Sequence, residues 1–267
     1  MKHLIYALIA GLCLATSVRA DVLKLAVTTS FNNSGLADVL VPEIEKDLGI
    51  DLQLLVVGTG QALRLGAAGD VDAILVHARA AEEAFIAEGH ATYRREIMYN
   101  DFIIVGPQAD PAGVRGATRV EDAFHQIAAA GADFVSRGDD SGTHKKELSL
   151  WVKAGERPDA FSSWYRAVGA GMGAALNTAA ALDAYILADR ASWLNFGNQQ
   201  GLSIVFEGDK ALFNQYSYLP VSAVKHPHVQ KDLAHALDAW LISAKAEELI
   251  DGYQIEGKTL FVFNAVR

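Results

Sequence analysis

Nine consecutive residues, Ser136-Arg137-Gly138-Asp139-Asp140-Ser141-Gly142-Thr143-His144, bring hydroxyls, a guanidinium, two carboxylates, an imidazole and two glycines together. They follow the strand-like run Asp133-Phe134-Val135-Ser136 and precede a helical stretch over residues 145–152. That order puts Ser141, Gly142 and Thr143 at a helix N-terminus, where unpaired N–H groups point outward and the helix carries partial positive charge. Such an end accepts an oxyanion. Gly142 permits close backbone approach, Ser141 and Thr143 add hydroxyl donors, and the Arg137 fork suits two oxygens of one anion. The same residues could serve folding alone, with Asp140 or Ser141 as N-cap and Arg137 in a surface ion pair. Asp139-Asp140 without further ligands makes a poor hard-cation site.

Three other turns carry similar chemistry. Thr28-Thr29-Ser30 stands where a first strand ends and a helix is about to begin, facing the crevice in which open α/β sheets bind ligands. Gly58-Thr59-Gly60-Gln61 repeats that placement after a second strand; it lacks the Lys-Ser/Thr of a P-loop and is no complete dinucleotide fingerprint. Gly169-Ala170-Gly171-Met172-Gly173, with Asn177 and Thr178, opens a further helix. Capping and close packing account for each of these turns equally well. His77 ends a third strand and suits a hydrogen-bonded structural role, and no H-E-x-x-H spacing occurs. Ser141 lies in neither a G-x-S-x-G elbow nor a Ser-x-x-Lys, which disfavours the competing reading to anion capture, a secreted phosphoryl-transfer enzyme using Ser141 and His144.

The elements that position these turns alternate between strand and helix. Leu23-Lys24-Leu25-Ala26-Val27, residues 51–57 and Val71-Asp72-Ala73-Ile74-Leu75-Val76 read as strands, separated by helices over 35–48, from about 60 to 65, and over 80–88. That alternation predicts a parallel sheet. Asp101-Phe102-Ile103-Ile104-Val105 is an apolar strand ending at Gly106-Pro107, beyond which a second unit begins. Its strands fall at 133–136 and 202–206 and its helices after 143 and over 172–181. A β-like stretch at 216–224 leads to one amphipathic helix over 229–250. The expected division is a first lobe of residues 21–104 and 217–267 and a second of 105–216.

Residues 1–20 have a basic start at Lys2, a short apolar run and Val18-Arg19-Ala20, the pattern of a secretory signal peptide cleaved before Asp21. Cys13 is the single cysteine and is preceded by Leu12 instead of the small residue a lipid-attachment site wants; cleavage would leave no thiol. Without Lys2 and Arg19, 21 basic side chains stand against 32 acidic ones, a net charge of −11. Such an acidic chain has no footprint for nucleic acid or an anionic membrane, and any anion must be held by a local device.

Thr28-Thr29-Ser30, residues 57–63, Gly69-Asp70-Val71-Asp72 with Val76-His77-Ala78, Tyr99-Asn100-Asp101-Phe102, Gly171-Met172-Gly173 and Asn214-Gln215-Tyr216, with the 136–144 segment, resemble the tungstate-binding proteins of ABC importers, the TupA type. The resemblance covers nearly all of the chain after residue 20. It implies an α/β, two-lobed periplasmic binding protein of the Venus-flytrap kind, each lobe a mainly parallel sheet flanked by helices, with two crossover strands. It further implies a monomer without cofactor that captures tungstate, or molybdate, and delivers it to the transmembrane subunits of a permease. Carried over residue by residue, the implied contacts are Thr29, Ser30, Thr59, Ser136, Arg137, Ser141, Gly142, Thr143 and Thr178. Phosphate-binding relatives place a carboxylate to accept the anion's proton, whereas His77-Ala78 supplies none here. A donor-only site favours a fully deprotonated dianion. Tungstate, molybdate and sulfate remain on that ground.

Overall fold

The computed structural model describes residues 20–267. Apart from Ala20, the expected signal peptide and Cys13 lie outside the described residues. Strands β1 (Asp21–Thr28), β2 (Ile50–Val57) and β3 (Ala73–Val76) run parallel, with α1 (Thr29–Asn33), α2 (Leu36–Leu48) and α3 (Thr59–Ala68) between them and α4 (Arg79–Ala87) after β3. Side chains alternate across β1. Leu23, Leu25 and Val27 enter one core with Leu40 and Ile44 of α2, while Ala26 enters another with Ile74, Val76 and Phe85. Both faces are covered, which is why these strands read as near-continuous apolar runs.

The 13-residue β4 (Arg95–Pro107) belongs to both halves of the molecule. Arg95 to Asp101 pairs with β9 (Phe213–Pro220); from Phe102 onward β4 pairs instead with β7 (Tyr185–Asp189) and β8 (Leu202–Phe206), all antiparallel. The first sheet runs β2-β1-β3-β9-β4, so β9 sits between β3 and β4. The second continues from β7 to β5 (Phe134–Ser136) and β6 (Tyr165–Ala167), which run parallel to one another. Helices α5 (Val120–Ala130) and α6 (Gly142–Lys153) cover one face of this sheet through Phe124, Phe134 and Trp151. Helix α7 (Met172–Leu182) covers the other through Ile103, Val135 and Ile186. Each half therefore has its own two-faced core.

Several local expectations shift. The single helix over 229–250 is two, α9 (Lys231–Leu241) and α10 (Ala244–Gly252), because the Ser243 hydroxyl accepts from the Ala246 N–H and starts a new helix. The β-like stretch at 216–224 is displaced to 213–220. The polar turn at 28–30 is already helical from Thr29, with Thr28 as its cap. Helix α5, strand β7 and the short α8 (Arg190–Leu194) were not anticipated. After α10, β10 (Gln254–Ile255) and β11 (Lys258–Thr259) form a small ribbon, and β12 (Val262–Phe263) pairs with β4.

Candidate functional site

The parallel strands of both halves point their carboxyl ends at one seam, where the helices that follow them begin. Thr28 caps α1, its hydroxyl accepting from the Phe31 N–H at 3.2 Å, and this presents Thr29 and Ser30 to the seam. Gly58 precedes α3 without a side-chain cap and places Thr59 there. From the other half, Ser141 caps α6 by accepting from the His144 N–H at 3.1 Å, which fixes Gly142 and Thr143 in its first turn.

Arg137 is the largest polar side chain buried at this seam, only 1 % exposed. It donates to the Ala170 carbonyl at 3.3 Å and across the seam to the Thr29 hydroxyl at 3.2 Å, and it pairs with Asp139. Asp139 also accepts from the Ser141 N–H at 3.2 Å, so it orients both the guanidinium and the helix start. The Gly60 N–H donates to the Asp140 carbonyl at 3.2 Å, and Arg64 and Lys145 both reach the Asp140 carboxylate. Asn195, at the end of α8, donates to the Asn33 and Ser34 carbonyls at 3.0 and 2.8 Å. The halves are thus drawn together on both flanks of Arg137.

Around Arg137 lies a set of buried polar atoms without hydrogen-bond partners: Thr59 Oγ1, His77 Nδ1, Ser136 Oγ, Thr143 Oγ1 and Tyr216 Oη, with Asn100 Nδ2, Asn214 Oδ1 and Asp189 Oδ2. Native structures pair nearly all such atoms, because an unsatisfied one costs about 1–3 kcal/mol. Eight at one seam mark a place built to hold something polar. A cavity of about 460 Å³ adjoins it, lined by His77, Phe102, Gly142, Lys146 and Asn214 among others.

The sequence matches the PBP superfamily domain over residues 15–245. It is 44% identical over 247 residues to the tungstate-binding protein TupA of Peptoclostridium acidaminophilum, covering 91% of this chain and 86% of that one. The chain belongs to the TupA family of the PBP superfamily. Among solved structures, the tungstate ABC transporter structure from Geobacter sulfurreducens superposes with a TM-score of 0.80 at 45% identity, covering 87% of this chain and 98% of that one. TupA from Desulfovibrio alaskensis G20 gives 0.78 at 46% identity, with 92% and 100% covered.

Against this TupA-family frame, the structure brings together Thr29, Ser30, Thr59, Ser136, Arg137, Ser141, Gly142 and Thr143. Gly142 sits so near the opposite wall that a Cβ there would lie 2.7 Å from His77 Cε1 and 3.0 Å from Thr59 Oγ1. Thr178 does not join them. It lies two turns into α7, and its hydroxyl donates to the Ala174 carbonyl of its own helix at 3.0 Å.

Ser141 and His144 are not arranged as nucleophile and base. The Ser141 hydroxyl engages the His144 backbone, and the His144 ring accepts from the Asp140 N–H at 3.3 Å. His77 is held near 3, first by burial and then by the Arg137 charge, so its ring is neutral and shares a 3.2 Å hydrogen bond with Ser30 Oγ. Burial likewise lowers His144 and raises the Tyr216 phenol. Among the described residues no group of three His, Cys, Asp or Glu could hold a metal ion, and no helix is long and apolar enough to cross a membrane.

Asp189 adds to the seam a carboxyl that the reading of the strand ends did not include. It ends β7, is fully buried, and caps α8 by accepting from the Ser192 N–H at 2.8 Å. Burial pushes its carboxyl up to about 6, against the Ser192 donors and the Arg137 charge. The apolar run Ala184-Tyr185-Ile186-Leu187-Ala188 before this acid was the sequence signal for it.

Proposed function

We propose that this protein captures a tetrahedral oxyanion, tungstate first and molybdate second, in the periplasm and delivers it to the transmembrane subunits of an ABC permease. The observation that carries the reading is the buried Arg137 guanidinium ringed by unpartnered hydroxyl and amide groups from both halves. Preorganised donors of this kind bind a dianion's four oxygens in a site closed to water. Thr29, Ser30, Thr59, Ser136, Arg137, Ser141, Gly142 and Thr143 supply the contacts, and Thr178 does not. Relatives named as tungstate-binding proteins, and structures titled likewise, support tungstate over the other dianions.

In this reading the lobes divide where β4 changes sheets, so lobe I comprises residues 21–101 and 213–267 and lobe II residues 102–212. Closure is a hinge motion of β4 and β9. Capture without turnover fits the way Ser141 and His144 are spent on capping. The N-terminal pattern of residues 1–20 and the membership of an importer-type family support export. Titration calorimetry with tungstate, molybdate, sulfate and phosphate tests the reading. Tungstate binding tighter than the others is the expected result, and tight phosphate binding with none for tungstate would overturn it.

A further inference from the structure

The carboxyl group of Asp189 has no part in the reading above. Strand β5 runs parallel beside β7, with Phe134 opposite Tyr185 and Val135 opposite Ile186. Arg137 follows two residues beyond Val135, just past the end of β5, and its charge acts on Asp189. On the other side Asp189 is opposite Phe102, the residue at which β4 enters the second sheet. It therefore stands at the carboxyl end of a central strand, in the crevice where such sheets bind ligands.

Only one of its oxygens is used. Oδ1 caps α8, whereas Oδ2 is buried and unpartnered, as are Tyr216 Oη and Ser136 Oγ. The charged and titratable groups acting on this position are Arg137 from the segment after β5 and Tyr216 from β9; behind them, His77 from the end of β3 packs on the Tyr216 ring at 4.7 Å and Glu147 from α6 is turned to Tyr165 and Trp151. Arg137 is shared with Asp139, and the neighbouring Arg190 is committed to Asp101 and Glu207. A dianion entering beside an ionised Asp189 would add two like charges to a buried carboxylate that has no cation of its own, and a proton removes that conflict.

On the reading of this seam as an oxyanion site, we propose that Asp189 serves it as a neutral acid, its Oδ2–H donating to the bound anion, so that capture at neutral pH takes one proton from solvent. The bond that forms is Oδ2–H, with the proton supplied by bulk buffer. No other covalent bond changes and nothing is oxidised or reduced. The free carboxyl, at about 6, is largely ionised above pH 7, so the proton must be taken up on binding. His77, near 3, contributes none in that range. The proton also sets specificity. A protonated Asp189 donates to a fully deprotonated dianion, whereas a monoprotonated anion such as hydrogen phosphate requires the same carboxyl to accept.

The test is tungstate calorimetry on the full chain between pH 6.5 and 8.5, in buffers of different ionisation enthalpy, for the wild type and Asp189→Asn. Asparagine keeps a helix cap and places a permanent N–H donor where the acid stood. The wild type should take up about one proton per tungstate at pH 7.5, with affinity falling by up to tenfold per pH unit. Asp189→Asn should take up essentially none and bind with a flat pH profile. No uptake in the wild type, or equal uptake in both, would overturn the role of Asp189 while leaving oxyanion capture intact. No binding of any of the four oxyanions would overturn the capture reading itself.

Discussion

Replacing Gly142 by alanine probes closure more cleanly than replacing any charged group. The new methyl would lie 2.7 and 2.8 Å from His77 Cε1 and Nδ1 and 3.0 Å from Thr59 Oγ1. Ordinary contact for such atoms is about 3.5–4.0 Å, so the facing wall must retreat by roughly 1 Å. His77 is packed against Phe102 and Tyr216, with ring centroids 6.0 and 4.7 Å away, and cannot give way alone. Overpacking of this size costs about 1–3 kcal/mol, or about 5- to 150-fold in Kd if the closed form is the bound one. Gly142 belongs to lobe II and both obstructing residues to lobe I, so the strain is felt only when the lobes meet. At the first position of α6 alanine is also the better helix former by about 1 kcal/mol. Tungstate calorimetry should therefore show weakened binding while the ligand-free melting temperature stays level or rises. A Kd within twofold of wild type would refute the idea that this seam closes on the ligand.

Removing the guanidinium in Arg137→Ala should weaken tungstate binding by about 2 kcal/mol or more, roughly 30-fold, with Arg137→Lys recovering only part because an ammonium cannot present a fork; calorimetry at fixed salt checks this, and unchanged affinity would take Arg137 out of the site. Thr178→Ala should leave affinity within twofold in the same assay. Glu147 of α6 is buried, accepting from Tyr165 Oη at 2.7 Å and Trp151 Nε1 at 3.1 Å, and burial pushes its carboxyl up to about 7. A carboxyl raised in the folded state stabilises it at low pH, and that stabilisation is lost as pH rises from about 4.5 through 7, a difference of roughly 3 kcal/mol by pH 8. Melting curves without ligand should accordingly fall more steeply from pH 5 to 8 for the wild type than for Glu147→Gln, and parallel curves would contradict that account.

Lobe I was legible because its first three strands each carry their own helix and turn in sequence order, so periodicity and glycine placement located Thr29, Thr59 and His77 together. The 136–144 segment was legible for the same reason: a cap, a glycine and an arginine are local signals. What escaped depended on distant partners. The first half of β4, Arg95-Glu96-Ile97-Met98-Tyr99-Asn100, mixes charged, polar and apolar residues without a clean period of two and becomes a strand by pairing with residues more than a hundred positions away. Strand β7 was not anticipated, yet it is central to its sheet, and with it went Asp189. Nor could spacing alone tell that Thr178 spends its hydroxyl on its own helix, since Thr at the i position and the carbonyl at i−4 serve backbone and ligand alike.

The position of β9 between β3 and β4 also governs how the chain can be made. Ala73 is paired with Pro220, 147 residues later, so the sheet of lobe I stays split until residues 213–220 have emerged. Residues 102–212 are contiguous and can assemble first, whereas their partner lobe pays a long loop closure before its core is complete. A polypeptide that cannot finish folding until four-fifths of it has been synthesised remains threadable for most of its synthesis. On the proposed export of this chain, late closure of the central strand is an asset built into the topology.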